Sequence, residues 1–196
     1  MFYQSGTTIQ CDTLRPAGRD ETNREIIKIL LNVTGSLDPL VVTSFNLSPE
    51  GCTDFDNDVD LVRIYYTGNY ENFSTDNLFG TTNDLNNPVS GNLPLIYGPN
   101  YFWVTYTTSS SATPGNYLDA GCESITLNGT ETVVPGVTSP EGRIKIDYCL
   151  PLFSSPGGCE AGIGCQSFST AGGIENIDNL NNGCPGNELS YSDFTN

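Results

Sequence analysis

An alternating run of aspartates is the first feature of the sequence that could support chemistry. Its members are Asp54, Asp56, Asp58 and Asp60. In an extended strand these four carboxylates would share one face, where their mutual repulsion would favour a divalent cation. The segment departs from the EF-hand calcium loop, because Val59 and Tyr65 stand where that loop needs its glycine and its final glutamate. The pattern therefore predicts either a calcium-stabilised loop or an acidic turn exposed to solvent.

Aromatic side chains form a second candidate site, since such rings can stack on sugars. The candidates for a carbohydrate-binding platform are Tyr65, Tyr66, Tyr101 and Trp103. The two-residue period of a strand places Tyr101 and Trp103 on one face, and Phe102, Val104 and Tyr106 on the other. Packing in the core of a β-sandwich is the alternative explanation for these rings.

The chain has seven cysteines and no histidine. The missing imidazole excludes serine–histidine and cysteine–histidine nucleophile pairs, and it excludes zinc sites that need histidine. No pair of carboxylates is marked as a glycosidase pair. We therefore predict a protein that is not an enzyme, with no catalytic residues and no cofactor beyond the candidate calcium ion. So many cysteines in 196 residues are typical of secreted proteins, which use them as disulfides.

Charge and hydrophobicity restrict the partners. The formal net charge is −16 and no basic patch is present, so we predict no nucleic-acid partner. The longest apolar stretch, residues 26–31, is interrupted by Lys28 and is too short to span a membrane. Met1 is followed by Phe-Tyr-Gln-Ser rather than by a signal peptide. Because the cysteines indicate export, we expect the chain to be a fragment of a longer, processed protein.

Segments rich in β-branched and aromatic residues alternate with turn sequences about every ten residues. The clearest predicted strands are residues 40–45, 62–67, 101–106 and 144–146. Residues 24–34 permit either a helix or a strand, and their β-branched content favours the strand. The prediction is an all-β fold, with an antiparallel immunoglobulin-like β-sandwich over residues 1–147. Residues 148–196, where four cysteines crowd together, are predicted to be a separate, disulfide-rich partial β module.

Several short motifs are spread through the predicted sandwich, among them Arg-Ile-Tyr-Tyr-Thr-Gly at 63–68 and Gly-Pro-Asn-Tyr-Phe-Trp-Val-Thr-Tyr at 98–106. The others are residues 3–5, 25–27, 58–59, 78–80, 115–116 and 118–122, with Phe73 and Ala112. The set resembles the domain found N-terminal to BNR-repeat sialidases, which also occurs in arrays in large surface adhesins of gliding bacteria. The tail, from Tyr148-Cys149 through 172–177 to 191–195, is similar to the first quarter or third of a GEVED domain.

The resemblance bears on the cysteines and on one threonine. Cys11 and Cys52 lie where the family usually has small polar residues, so the two departures suggest a Cys11–Cys52 disulfide. Cys122 is then either a buried thiol or a bridge to another chain. In the tail, Cys149–Cys184 with Cys159–Cys165 is the preferred pairing among three possible arrangements. Asp12-Thr13-Leu14 resembles the acceptor motif of bacterial O-glycosylation, which implies a glycan on Thr13.

The resemblance implies a non-catalytic extracellular module of a large bacterial surface adhesin or filament, acting as a spacer or ligand-presenting unit in adhesion or gliding. Its partners would be neighbouring modules of the same long chain and surface polysaccharide or other glycans. The alternative is an accessory domain that tethers a secreted glycosidase or peptidase to a carbohydrate or a surface. Both place the chain at the bacterial cell surface or outside the cell.

Overall fold

The computed structural model describes residues 1–147, 167–169 and 178–180. The chain divides into two compact units, Met1–Cys149 and Leu150–Asn196. The cysteines for which tail disulfides were predicted, Cys149, Cys159, Cys165 and Cys184, lie outside the described residues.

Strands dominate the first unit, and a single helical turn interrupts them within residues 1–147. In chain order the elements are β1 Phe2–Gln10, β2 Arg24–Thr34, β3 Val41–Ser48, α1 Phe55–Asp58, β4 Val59–Gly68, β5 Leu78–Thr82, β6 Val89–Pro94, β7 Gly98–Thr108, β8 Tyr117–Leu118, β9 Gly121–Leu127, β10 Glu131–Val133 and β11 Ile144–Lys145.

Two antiparallel sheets form a sandwich. The five-stranded sheet has the order β1-β2-β7-β4-β5, and the four-stranded sheet has the order β10-β9-β3-β6. Strands β8 and β11 form a small third sheet, and an isolated parallel bridge joins Ala17 to Ile146. The all-β antiparallel sandwich predicted from the sequence is therefore confirmed.

The core lies between the two sheets, and β7 shows how the sequence builds it. Phe102, Val104 and Tyr106 are fully buried in the core, as the alternation along the strand predicts. The same period explains β2, where Ile27, Ile29, Leu31 and Val33 are all buried. Since that alternation buries one side of an extended chain, segment 24–34 is a strand, as predicted, rather than a helix.

The second unit contains two short described strands, β12 Ser167–Ser169 and β13 Asp178–Leu180, which pair antiparallel. In the part of the chain that the structure describes, no helix has the length and apolar character needed to cross a membrane.

Candidate functional site

The acidic segment 54–60 is not an extended strand, and its carboxylates do not share a face. Residues 55–58 form the helical turn α1, in which the Asp58 amide donates to the Asp54 carbonyl at 3.0 Å. Asp58 is fully buried, whereas Asp56 and Asp60 are exposed. The premise of the calcium prediction, four carboxylates on one face, is therefore wrong.

Each of the two less exposed carboxylates in this segment has protein partners. Asp58 accepts hydrogen bonds from the Thr113 amide and from Asn116 Nδ2, both at 2.8 Å. Asp54 accepts from Asn57 Nδ2 at 2.9 and 3.0 Å. Across the described residues, no group of three or more cysteine, aspartate or glutamate side chains is arranged to hold a metal ion. Asp58 instead fastens the loop after β7 to α1.

The four aromatic candidates for a sugar platform are divided between the two faces of the five-stranded sheet. In the β4–β7 register, Tyr65 lies opposite Trp103 and Tyr66 opposite Phe102. The Tyr66 ring packs 4.9 Å from the Phe102 ring, and its hydroxyl donates to Asn100 Oδ1 at 2.7 Å. Tyr66 therefore belongs to the inner, core-facing side and cannot join Trp103 in one platform.

The outer face of this sheet is partly covered. The Phe73 ring lies 5.7 Å from both the Tyr65 and the Trp103 rings, and Trp103 is only 8% exposed. Trp103 Nε1 donates to Thr67 Oγ1 at 3.0 Å, and the Tyr65 hydroxyl donates to Asn23 Oδ1 at 3.0 Å. The rings on this face form a packed cluster rather than an open stacking surface.

Beside that cluster lies a pocket of about 400 Å³ that the sequence reasoning missed. It is formed by the end of β1, the loop that follows it, the start of β2 and one residue of β7. Its lining comprises three cations (Arg15, Arg24 and Lys28), two carboxylates (Asp12 and Glu25), and Gln10, Cys11 and Trp103. The chain has only seven basic residues, so three of them in one pocket is a notable concentration.

Ion pairs compensate the cations of the pocket. Arg15 binds Glu21 at 2.6 Å and Glu25 at 3.4 Å. Lys28 pairs with Glu71, and its ammonium group also lies 5.6 Å from the centre of the Trp103 ring. The pocket is therefore strongly polar without an uncompensated positive charge.

Arg24 organises the loop that forms one wall. Its side chain is 2% exposed, and its Nη2 donates to the carbonyls of Asp12 and Arg15 at 2.5 and 2.6 Å. Burial lowers the pKa of the Arg24 guanidinium, and the nearby Arg15 lowers it further. An arginine at the start of a strand whose other buried positions are all apolar is the one signal in the sequence that could have indicated this arrangement.

The cysteines of the sandwich are free thiols, so the predicted Cys11–Cys52 disulfide is wrong. The Cys11 amide is bound to the Ile26 carbonyl beside the pocket, whereas Cys52 Sγ lies 3.1 Å from the Asp119 carbonyl oxygen. Each cysteine is thus held by a different part of the fold. Burial raises the pKa of the thiols, to about 12 for Cys11, about 11 for Cys52 and about 12 for the fully buried Cys122.

The candidate glycosylation site lies on an exposed turn. Thr13 is exposed, and the Leu14 amide donates to Asp12 Oδ1 at 2.9 Å, while the Leu14 side chain is 93% exposed. The Asp-Thr-Leu motif is therefore accessible, at the rim of the loop that walls the pocket.

No known protein-family model matches the chain, and no curated protein matches it in sequence.

Proposed function

We propose that the chain is a non-catalytic extracellular module of a large bacterial surface adhesin or filament. One observation supports the proposal: the three longest motifs that resemble the sialidase-associated domain lie together in the folded sandwich. Residues of the 63–68 motif in β4 pair with residues of the 98–106 motif in β7, as in Ile64 opposite Val104. The 118–122 motif joins them, since the Tyr106 hydroxyl donates to the Asp119 carbonyl at 2.9 Å.

The chemistry of the carboxylates supports a non-catalytic role. The buried Asp58 is used to hold a loop, and Asp119 Oδ1 accepts from the Ala120 amide at 2.8 Å. The net charge of −16 suits a surface protein that must stay soluble and must not bind polyanions. Because the three thiols of the sandwich are free, the extracellular location rests on the motifs and the charge rather than on disulfides there.

In this role the sandwich would be a spacer or a ligand-presenting unit in adhesion or gliding. Its partners would be the neighbouring modules of the same chain, with residues 148–196 as the start of a GEVED domain, and surface polysaccharide. Thr13 would carry an O-linked glycan, which is sterically feasible because its turn is exposed.

Surface exposure tests the proposal. Antibodies raised against the chain should label intact cells of the bacterium that encodes it, and protease added to intact cells should remove the label. A labelling signal that requires cell lysis and resists external protease would contradict an extracellular module.

The pocket beside Trp103 favours one rival, an accessory domain that tethers a secreted glycosidase or peptidase to its polymer. Deleting the module from the full-length protein separates the two roles. Loss of cell attachment with no change in any hydrolytic activity of the culture supports the adhesin. Loss of hydrolysis of an insoluble polymer, with soluble substrate still cleaved, supports the tethering domain.

A further inference from the structure

Two buried polar atoms at the pocket beside Trp103 have no hydrogen-bond partner. Within the described residues, Gln10 Oε1 and Arg24 Nε are the buried side-chain atoms left in this state, and both residues line the pocket. An unpaired buried polar group is destabilising, so native proteins rarely leave one without a reason. Here an acceptor and a donor remain unused at the same cavity.

Both side chains are fixed by their remaining polar atoms. Gln10 Nε2 donates to the Ile26 carbonyl at 3.1 Å, which leaves the carbonyl oxygen of the amide as the free atom. The Arg24 guanidinium is bound through Nη2 to two backbone carbonyls and through Nη1 to Glu25. Because neither group can turn away, the unused acceptor and the unused donor are held in set positions within two residues that line the pocket.

The chemistry of these two atoms selects the ligand. Gln10 Oε1 needs a donor and Arg24 Nε–H needs an acceptor, and a hydroxyl group supplies both. The carboxylates of Asp12 and Glu25 add acceptors for further hydroxyl groups. Trp103 also belongs to the lining and, being only 8% exposed, adds a small apolar contact rather than a stacking surface.

Charge argues for a neutral ligand. The three cations Arg15, Arg24 and Lys28 are accompanied by four carboxylates, those of Asp12, Glu21, Glu25 and Glu71. An anionic ligand would have to compete with these carboxylates for the cations. A cationic ligand would be repelled by Arg15 and Arg24. The volume of about 400 Å³ lies at the small end of ligand sites.

We propose that this pocket binds a neutral sugar residue. The inference gives the ligand-presenting module a ligand class and a site, and its biological meaning rests on that proposed function. It replaces the aromatic platform predicted from the sequence: Trp103 remains a contact, whereas the polar recognition comes from β1 and β2.

Tryptophan fluorescence gives a direct test, because Trp103 is the only tryptophan in the chain. The full chain is titrated separately with D-glucose, D-galactose, D-mannose, N-acetyl-D-glucosamine and, as the anionic comparison, D-glucuronic acid. We expect a saturable change in emission with at least one neutral sugar. No change with any neutral sugar, or a response to glucuronic acid alone, would overturn the inference.

A matched pair of variants locates the binding. Gln10→Met removes the free acceptor and should weaken sugar binding about fivefold, as expected for one neutral hydrogen bond. Gln4→Met changes the same residue type at an exposed position of the same strand and should bind as the parent does. Melting curves of both variants verify that the fold is kept at the temperature of the titration. Equal affinities in all three proteins would overturn the assignment of the site.

The alternative occupant is water, which can also supply a partner to each of the two atoms. A crystal of the chain soaked in the best-binding sugar should show a sugar hydroxyl hydrogen-bonded to Gln10 Oε1 or to Arg24 Nε, and ordered water alone at both atoms would refute the proposal. Surface exposure is measured independently on cells, so a chain that is exported but binds no sugar would contradict this inference and leave the extracellular role standing.

Discussion

The two faces of the five-stranded sheet are built on the same strands but by different means. On the inner face of β7, Phe102 is fully buried and its ring contacts those of Phe45, Tyr66 and Phe79 at centroid distances of 4.9–5.8 Å. On the outer face, Trp103 is covered by Phe73 and by Lys28. The inner face is sealed by a second sheet, whereas the outer face is sealed by loop residues and charged side chains.

This difference separates stability from recognition. A face packed against another sheet has no space for a ligand and gains from every apolar contact. A face covered by loops leaves gaps where the covering is incomplete, and the pocket beside Trp103 is such a gap. We therefore expect substitutions on the inner face to affect folding and substitutions at the pocket to affect binding.

The largest expected effect is on the inner face. Phe102→Ala removes a ring that contacts three others and should reduce the free energy of unfolding by about 3–5 kcal/mol. Phe73→Ala removes a half-buried ring of the outer cluster and should cost about 1–2 kcal/mol. Urea denaturation of the two variants measures the contrast. Equal losses would mean that the outer cluster is as important to stability as the core.

The same contrast explains what the sequence could predict. In β2, β3, β4 and β7, apolar residues alternate along the sequence. That alternation predicts both that these segments are strands and which of their sides faces the core. The edge strands β5 and β6 were not predicted, because strands with one unpaired side and few apolar residues give a weak alternating signal.

The candidate sites were harder to predict, because they depend on residues distant in sequence. Asp58 meets Thr113 and Asn116 only through the fold, so its burial cannot be read from an alternating acidic run. The pocket likewise joins β1, β2 and β7 through the conformation of a loop. Cysteine positions gave no reliable pairing, since the distance between two thiols depends on the path of the whole chain.

A second prediction concerns Asp58, which holds the loop after β7. Asp58→Ala leaves the Thr113 amide and the Asn116 amide group without their acceptor and should lower the free energy of unfolding by about 2–4 kcal/mol. The matched variant Asp60→Ala, at an exposed carboxylate of the same acidic run, should change stability by at most about 0.5 kcal/mol. Thermal melts give both values.

The same melts decide the calcium hypothesis. Since the four carboxylates do not converge, melting curves of the parent chain in calcium and in chelator should coincide. An ion bound only to the native state would raise the melting temperature instead. Such a shift, abolished in Asp58→Ala, would restore calcium as a ligand of this segment.

A smaller, pH-dependent effect on the free energy of unfolding is expected from Asp119, which lies between β8 and β9. Burial raises the pKa of this carboxyl from 3.8 to about 6, although the Ala120 amide and Arg143 act in the opposite direction. Gly51 covers it so closely that a Cβ there would lie 2.2 Å from Oδ2. Because the native state holds this proton to a higher pH than the unfolded chain, the contribution of Asp119 to stability falls as the pH rises from about 4 to about 6.

The variant Asp119→Asn isolates this contribution from that of other carboxylates. Its amide oxygen can still accept from the Ala120 amide, but the side chain no longer titrates. The stability of the parent minus that of Asp119→Asn should therefore fall between about pH 4 and pH 6 and be constant above that range. Chemical denaturation at several pH values measures the difference. A constant difference would show that the native and unfolded carboxyls bind protons equally.

The smallest expected effect is a difference in reaction rate between two thiols, one on each side of the five-stranded sheet. Cys11 lines the outer pocket and is partly exposed, while Cys122 is fully buried in the core. Burial raises the pKa of both to about 12, so both should react slowly with iodoacetamide near neutral pH. Cys11 should nevertheless be alkylated first, because reagent reaches it through the pocket, whereas Cys122 reacts only when the sandwich opens. Peptide mass spectrometry over a time course measures both rates. Equal rates would contradict the difference between the faces, and a linked Cys11–Cys52 peptide would restore the disulfide and, with it, the cysteine-based argument for export.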